Sequence, residues 1–203
     1  MRTPNKANKK LIEYNCKNGV YAVDGEVKDL GYLVSNTLDK NIATKDLYGD
    51  GYLLLSVLTD KGMTGTLETT ARDDEFEQDL GFVKAIAQRL ADVQVLQNKT
   101  ISIGYETYIL TADGIVKTKK VWLLGVNVAP PSESLSQNTD TTNESTASYG
   151  ITVKGVNLKG ADGNDYVDEN GNTIKVFKVS SVPTDDGYDT FLDSEPVPTI
   201  KTA

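Results

Sequence analysis

The sequence predicts a mainly β protein, an antiparallel β-sandwich or barrel with one flanking α-helix, and three observations carry that expectation. Turn signals punctuate the chain at Asn18-Gly19, Asp24-Gly25, Gly49-Asp50-Gly51, Asp113-Gly114, Asp162-Gly163, Asn170-Gly171 and Asp186-Gly187, and such pairs supply the positive φ angles of tight hairpins. Between them lie short segments rich in Val, Ile, Thr and Tyr, at residues 19–23, 31–34, 52–59, 64–70, 100–111, 115–128, 149–158 and 173–182, which read as antiparallel strands. One stretch departs from this pattern. Across residues 73–96, Phe76, Leu80, Val83, Ala87 and Leu90 recur at spacings of three and four, the period of an amphipathic helix.

Residues 151–158 and 174–179 alternate apolar with polar side chains, so both segments read as half-buried. Val121-Trp122-Leu123-Leu124-Gly125-Val126 is apolar on both faces. It must be a central strand or be covered by a neighbour, and a neighbouring copy of the chain would serve. The helix is expected over about residues 73–92, with Asp73 or Asp74 as its cap and Glu75, Glu77 and Asp79 near the positive end of its dipole. Gly81 inside it costs about 1 kcal/mol relative to Ala and marks close packing or a break. Pro130-Pro131 ends the buried strand, and the polar residues 132–148 read as a long loop that is either mobile or functional, and that in an assembling protein would order against a partner. A second loop is expected at residues 40–51, with buried-looking Leu47 and Tyr48. The chain is thus read as one domain, residues 1–203, with a polar N-terminal arm (1–10) and long loops near 40–51 and 130–148.

Composition narrows the function classes. At 203 residues, 38% apolar and 25% charged, the chain resembles an ordinary globular domain with enough length for one core. Twenty-one basic against 29 acidic residues give a net charge of −8, which disfavours tight binding of a phosphate backbone. The acidic balance suits either solubility or the lining of a passage that a polyanion must cross without sticking. Cys16 is alone, so an intrachain disulfide is excluded and a reducing compartment is the natural expectation. The N-terminus carries Lys6, Lys9 and Lys10 with no apolar run behind them, and it reads as no secretion signal. The apolar stretch 53–58 is far too short to span a bilayer. A soluble protein made in the cytoplasm is expected.

No catalytic, cofactor or metal site stands out, and an enzyme is not expected. The chain has no histidine, which removes Ser-His-Asp and Cys-His constellations and the usual nitrogen ligands of zinc. Cys16, between Asn15 and Lys17, has no neighbouring base. Residues 61–66, Lys-Gly-Met-Thr-Gly-Thr, have the flavour of a phosphate loop, but the glycine spacing is too short and no helix-opening Lys-Ser or Lys-Thr follows. Asp162-Gly163-Asn164-Asp165 begins like a calcium loop, yet Tyr166 and Val167 stand where a ligand and a glycine belong. A hairpin and a solvated turn, respectively, account for these two segments. Carboxylate pairs occur by chance among 29 acids, with no aromatic sugar platform around them.

Three segments taken in order resemble the major tail proteins of siphophages, whose subunits build the tail tube. The first runs from Tyr52-Leu53-Leu54-Leu55 through Thr59-Asp60-Lys61-Gly62-Met63-Thr64-Gly65-Thr66-Leu67 into the acidic segment Asp73-Asp74-Glu75-Phe76-Glu77-Gln78-Asp79-Leu80-Gly81-Phe82. The second is the hairpin of residues 105–126 around Asp113-Gly114, followed by the Ser/Thr-rich stretch to Thr146. The third is Asp185-Asp186-Gly187 to Thr190-Phe191-Leu192-Asp193 and the Pro196-Val197-Pro198 ending. Together they span about residues 50 to 198. Leu192 stands where a second aromatic is expected, and residues 89–99 fit the pattern poorly.

The resemblance implies a structural virion protein of the phage tail. It implies homohexameric rings stacked into a tube that conducts DNA during ejection, no cofactor, and partners among other tail proteins such as the tape measure and the tail terminator. DNA would be passing cargo and no membrane would be bound. Unpaired strand edges are the natural joint when copies continue one sheet around a ring. Loops that order on assembly would join one ring to the next. Asp46, Leu47 and Tyr48 in one predicted loop, and Ser134, Leu135 and Asn138 in the other, are the candidate assembly residues. A different class also fits the composition: a monomeric immunoglobulin-like or barrel module that recognises a receptor or ligand through its loops.

Overall fold

The computed structural model describes residues 10–133 and 146–200. Strands β1 (Lys10–Val23), β2 (Glu26–Asp29), β3 (Leu33–Gly49) and β4 (Tyr52–Thr69) lead into helix α1 (Asp74–Leu80). The short strands β5 (Val83–Ile86) and β6 (Arg89–Asp92) follow, then the long β7 (Thr100–Thr111) and β8 (Val116–Val128). The chain continues through β9 (Ser132–Glu133), β10 (Ala147–Val153), β11 (Val156–Asn157), β12 (Lys175–Val176) and β13 (Lys178–Ser181). It is mainly β, an antiparallel sandwich with one flanking helix.

Three hairpins and one inserted strand make the main sheet. β1/β2, β3/β4 and β7/β8 are each antiparallel neighbours in sequence, while β10 pairs with β8 on one side and β4 on the other. The resulting order is β2-β1-β7-β8-β10-β4-β3, with β13 added to β8 and β9 to β10. Strict alternation along β10 shows how the sheet is used: Ala147, Tyr149, Ile151 and Val153 are buried and the residues between them are half-buried. The main core joins these side chains to Tyr21, Leu67, Phe76, Leu80, Ile103, Val121, Leu123 and Val126.

α1 covers one end of this core. The Asp73 carboxylate accepts the Phe76 N–H at 3.1 Å and the Gly31 N–H at 2.8 Å, so it caps the helix and ties it to the link between β2 and β3. Phe76 stands edge-on between the rings of Tyr21 and Tyr149, with centroids 4.9 and 5.5 Å away. Glu77 is fully buried. Its carboxylate accepts the Tyr149 hydroxyl at 2.8 Å and the Arg72 guanidinium at 3.0 Å, and Arg72 reaches on to Asp92 in β6 at 2.7 Å. Asp79 accepts the Tyr21 hydroxyl and the Lys28 ammonium, both at 2.8 Å. The acidic residues of the helix are therefore structural.

The helix is much shorter than residues 73–92. Gly81 takes a left-handed φ of 78° and its N–H returns to the Gln78 carbonyl, which stops the helix after two turns. Val83 to Asp92 is a β-hairpin instead, closed by Ala87 and Gln88 at φ 48° and 65°. The helical spacing of Val83, Ala87 and Leu90 was fortuitous, since only Val83 of the three is buried.

Residues 40–51 are not a loop either. They are the second half of β3 and its turn, paired residue by residue with β4. Asp50 and Gly51, at φ 51° and 81°, close this hairpin as a two-residue turn. Lys, Asp and Asn lower the local strand propensity of 39–46, and the paired strand overrides it.

β8 buries both faces, as its sequence requires, but its own chain supplies the cover. Val121, Leu123 and Val126 face the main core, while Trp122 and Leu124 form a second cluster with Ala22 and Leu192. The Trp122 indole N–H donates to the Phe191 carbonyl at 2.8 Å. No neighbouring copy is needed for this strand.

Glu77→Ala is expected to lower unfolding free energy by about 3 kcal/mol, read from urea denaturation, because it removes one of the two carboxylates that hold Arg72 and leaves the buried Tyr149 hydroxyl without its acceptor. Acid should loosen the same region. Burial works to raise the Asp79 pKa, but the Lys28 ammonium and the Tyr21 hydroxyl outweigh it and hold the group below its ordinary 3.8. Its contribution is whole above that value and is lost as pH falls towards the depressed folded pKa. Unfolding followed by circular dichroism should therefore show wild-type stability falling below about pH 4 more steeply than that of Asp79→Asn.

Candidate assembly site: an arm with two wet faces

From Met63 to Thr69, β4 is flanked by β10 on one side and β3 on the other. Beyond that point the sheet ends but the hairpin continues. Residues 42–49 pair only with residues 52–60, from Ile42 opposite Asp60 to Gly49 opposite Tyr52. Every residue from Tyr52 to Lys61 is exposed. At about 3.3 Å per residue the free ribbon is roughly 25–30 Å long.

Such a ribbon is expected to carry mainly polar side chains, and this one mixes them with exposed Ile42, Leu47, Tyr48, Tyr52, Leu53, Leu54, Leu55, Val57 and Leu58. On one face Leu47 lies opposite Leu55, and Lys45 opposite Val57. The other pairs Thr44 with Leu58, Asp46 with Ser56 and Ile42 with Asp60. At the tip the register slips so that Leu55 opposes Leu47 but Leu53 opposes Tyr48, leaving Leu54 as an extra, bulged residue. Tyr48 and Leu54 are 68% and 69% exposed, and Tyr52 and Leu53 stand beside them in the open. A two-stranded hairpin is marginal by itself in water, and an apolar one is a binding surface or an aggregation hazard.

The root of the arm is built to hold a direction. Between the pairs Lys40/Met63 and Ile42/Asp60, β3 spends one residue where β4 spends two, a bulge centred on Lys61 and Gly62. Gly62 has φ 97°, and a Cβ there would sit 2.1 Å from the Val153 carbonyl oxygen. The Lys40 ammonium bridges Asp60 at 2.7 Å and lies 4.8 Å from the centre of the Phe177 ring. Its hydrogen bond to Asp60, joined by the Gly62 amide, holds that carboxyl below the usual range.

Of the residues singled out in the sequence, Asp46, Leu47 and Tyr48 come together on the β3 side of this arm, with Asp46 accepting the Ser56 hydroxyl. Ser134, Leu135 and Asn138 lie outside the described residues. Sequence reasoning missed the opposite strand, Tyr52 to Leu58, as part of the site. Its signal was present: an apolar run interrupted only by Ser56, whose partner strand, across the Asp50-Gly51 turn, is too polar to bury it.

The remaining sequence motifs have other roles. Burial pushes the Cys16 thiol up to about 11, so it carries little thiolate at neutral pH. Residues 61–66 belong to β4. Asp162 accepts the Asn164 N–H, and Asp165 takes Lys159 and Asn157 at 2.7 Å each, which makes 159–165 a polar turn. Among the described residues no group of three or more Cys, Asp and Glu side chains is placed to hold a metal ion, and no helix is long and apolar enough to cross a membrane. No protein-family model and no curated protein matches the chain.

Gly62→Ala should destabilise the protein by about 1–3 kcal/mol and speed amide exchange along residues 42–60, because the strained φ is joined by a clash with the backbone. Gly114→Ala is the control: it shares a positive φ of 81° with nothing within 4 Å of the added Cβ, and hydrogen exchange in the arm should be unchanged.

Proposed function

We propose that this chain is a self-assembling structural protein, the major tail tube subunit of a long-tailed bacteriophage, made in the bacterial host cytoplasm and resident in the virion tail. Copies form rings, hexameric by the family resemblance, which stack into a DNA-conducting tube. The observation that carries the reading is the arm: a rooted hairpin with apolar side chains on both faces and no cover among the described residues. Such a surface costs solubility in a monomer and gains contact area in a polymer. β2 and β3 end the main sheet, which leaves their outer edges available to a neighbour. The net charge of −8 suits a conduit that a polyanion crosses as cargo. Partners are further copies of the chain and other tail proteins, such as the tape measure and terminator. No catalytic chemistry, cofactor or membrane enters this role.

The exposed tyrosines at the tip also suit a monomeric binding module that uses the arm to grip a receptor. Negative-stain microscopy at high concentration, beside light scattering at low concentration, separates the two. Hollow tubes or rings of uniform width are expected. The double variant Leu53→Asp/Leu55→Asp should stay folded, since both side chains are exposed, and should lose the tubes. Strict monomers of the wild type at every concentration would favour the binding module.

A further inference from the structure

Asn-Gly occurs twice in the chain, at Asn18-Gly19 and Asn170-Gly171, and the fold holds the two pairs differently. This dipeptide carries its own chemistry. The glycine nitrogen is unusually open to reaction because no Cβ stands beside it, and it lies one five-membered ring closure from the Asn Cγ. When that amide loses its proton to hydroxide, the nitrogen attacks Cγ, the N–Cγ bond forms and the Cγ–Nδ2 bond breaks. Nδ2 takes a proton from water, which restores the hydroxide, and leaves as ammonia. One water then opens the cyclic imide at either carbonyl, giving an aspartyl residue or its iso-aspartyl isomer, and no other reactant is consumed.

At Asn18-Gly19 the fold opposes ring closure. The Asn18 Nδ2 donates to Glu106 at 2.8 Å, Gly19 is buried in a bulge of β1, and its carbonyl accepts the Leu30 N–H at 2.8 Å. Leu33 packs so closely that a Cβ on Gly19 would meet its side chain at 2.9 Å. Reaction there has to lift β1 from its neighbours, and it would set a new carboxylate against that of Glu106. At Asn170-Gly171 these restraints are missing. Both residues are exposed, Gly171 has a φ of 80°, and nothing lies within 4 Å of an added Cβ. They form the tip of a turn held by Asp168, whose carboxylate accepts the Asn170 N–H at 2.9 Å and the Asn172 N–H at 2.8 Å. The Gly171 N–H donates to the Asp168 carbonyl at 3.0 Å, a bond at an exposed tip, where local opening costs little.

We propose that Asn170-Gly171 is a self-modification site, at which the folded protein converts Asn170 through a cyclic imide to aspartyl and iso-aspartyl forms while Asn18 is protected. The conversion adds a carboxylate beside Asp168 and Glu169. In the iso-aspartyl form the main chain runs through the side-chain carbons of residue 170 and is one atom longer, which breaks the bond from Gly171 to Asp168 and opens the turn. The Leu158–Ile174 bond and the β11/β12 pair stand between the turn and β13, so the loosening stays local. The mark accumulates with time and is independent of how copies assemble.

Incubation of the full chain in mildly alkaline buffer, followed by peptide mapping and by methyl transfer from an isoaspartyl methyltransferase, tests the site. Conversion at Asn170 is expected at least about tenfold faster than at Asn18, whose reaction waits on opening of β1. In concentrated urea the two rates should converge, since only the fold distinguishes them. Asn170→Gln, at an exposed position, should abolish the methyl-accepting mark at the turn and leave the slow rate at Asn18 unchanged. Hydrogen exchange of the aged protein should speed at residues 168–173 and stay unchanged in β8. Equal rates at the two sites in the folded chain, faster conversion at Asn18, or an Asn170 that converts only in urea would each overturn the inference.

Discussion

Two-sided burial of β8 is the constraint around which the rest of the chain is arranged. A strand with Val121, Leu123 and Val126 on one face and Trp122 and Leu124 on the other must be covered twice. The first cover is the sandwich itself, through β10, β4 and α1. The second is the C-terminal segment, which brings Leu192 and the Phe191 carbonyl over Trp122. β8 is thus covered on both sides by its own chain. Whatever surface remains apolar is then a surface for something else.

That remainder is concentrated in the arm. Its two strands continue the β3/β4 pair past the last hydrogen bond to β10, and the bulge at Lys61-Gly62 marks the point of departure. Strain at Gly62, the Lys40–Asp60 bridge and the Phe177 ring fix the angle there, while the far end has only cross-strand pairs to hold it. The arrangement separates two requirements that would conflict in one place: a firm direction at the root and an adaptable apolar surface at the tip.

Much of the fold was legible in the chain, and the failures have specific causes. Period-two patterning along 151–158 located the end of β10 and β11, missing the break at Lys154-Gly155, and turn pairs such as Asp113-Gly114 and Asp24-Gly25 located real hairpins, because alternation and positive φ are local properties. The helix was placed correctly at its start, where Asp73 caps it, and overextended at its end, where Gly81 stops it. Spacing carried on by chance into Val83 and Leu90, and periodicity cannot distinguish a buried face from an exposed hairpin. The arm was half seen: Asp46, Leu47 and Tyr48 were singled out, but as members of a loop.

By itself the sequence determined the class of the protein, its mainly antiparallel β character, the lone helix start and the need to cover β8 on both sides, since these follow from local propensity and from the cost of leaving apolar side chains in water. Only the tertiary structure decided which segments supply that cover, that residues 40–49 are a strand, and that an apolar ribbon leaves the sheet at Gly62. Those depend on pairing between residues distant in the chain. Cross-strand hydrogen bonds and a backbone approach such as that of Gly62 to Val153 have no signature in either partner alone.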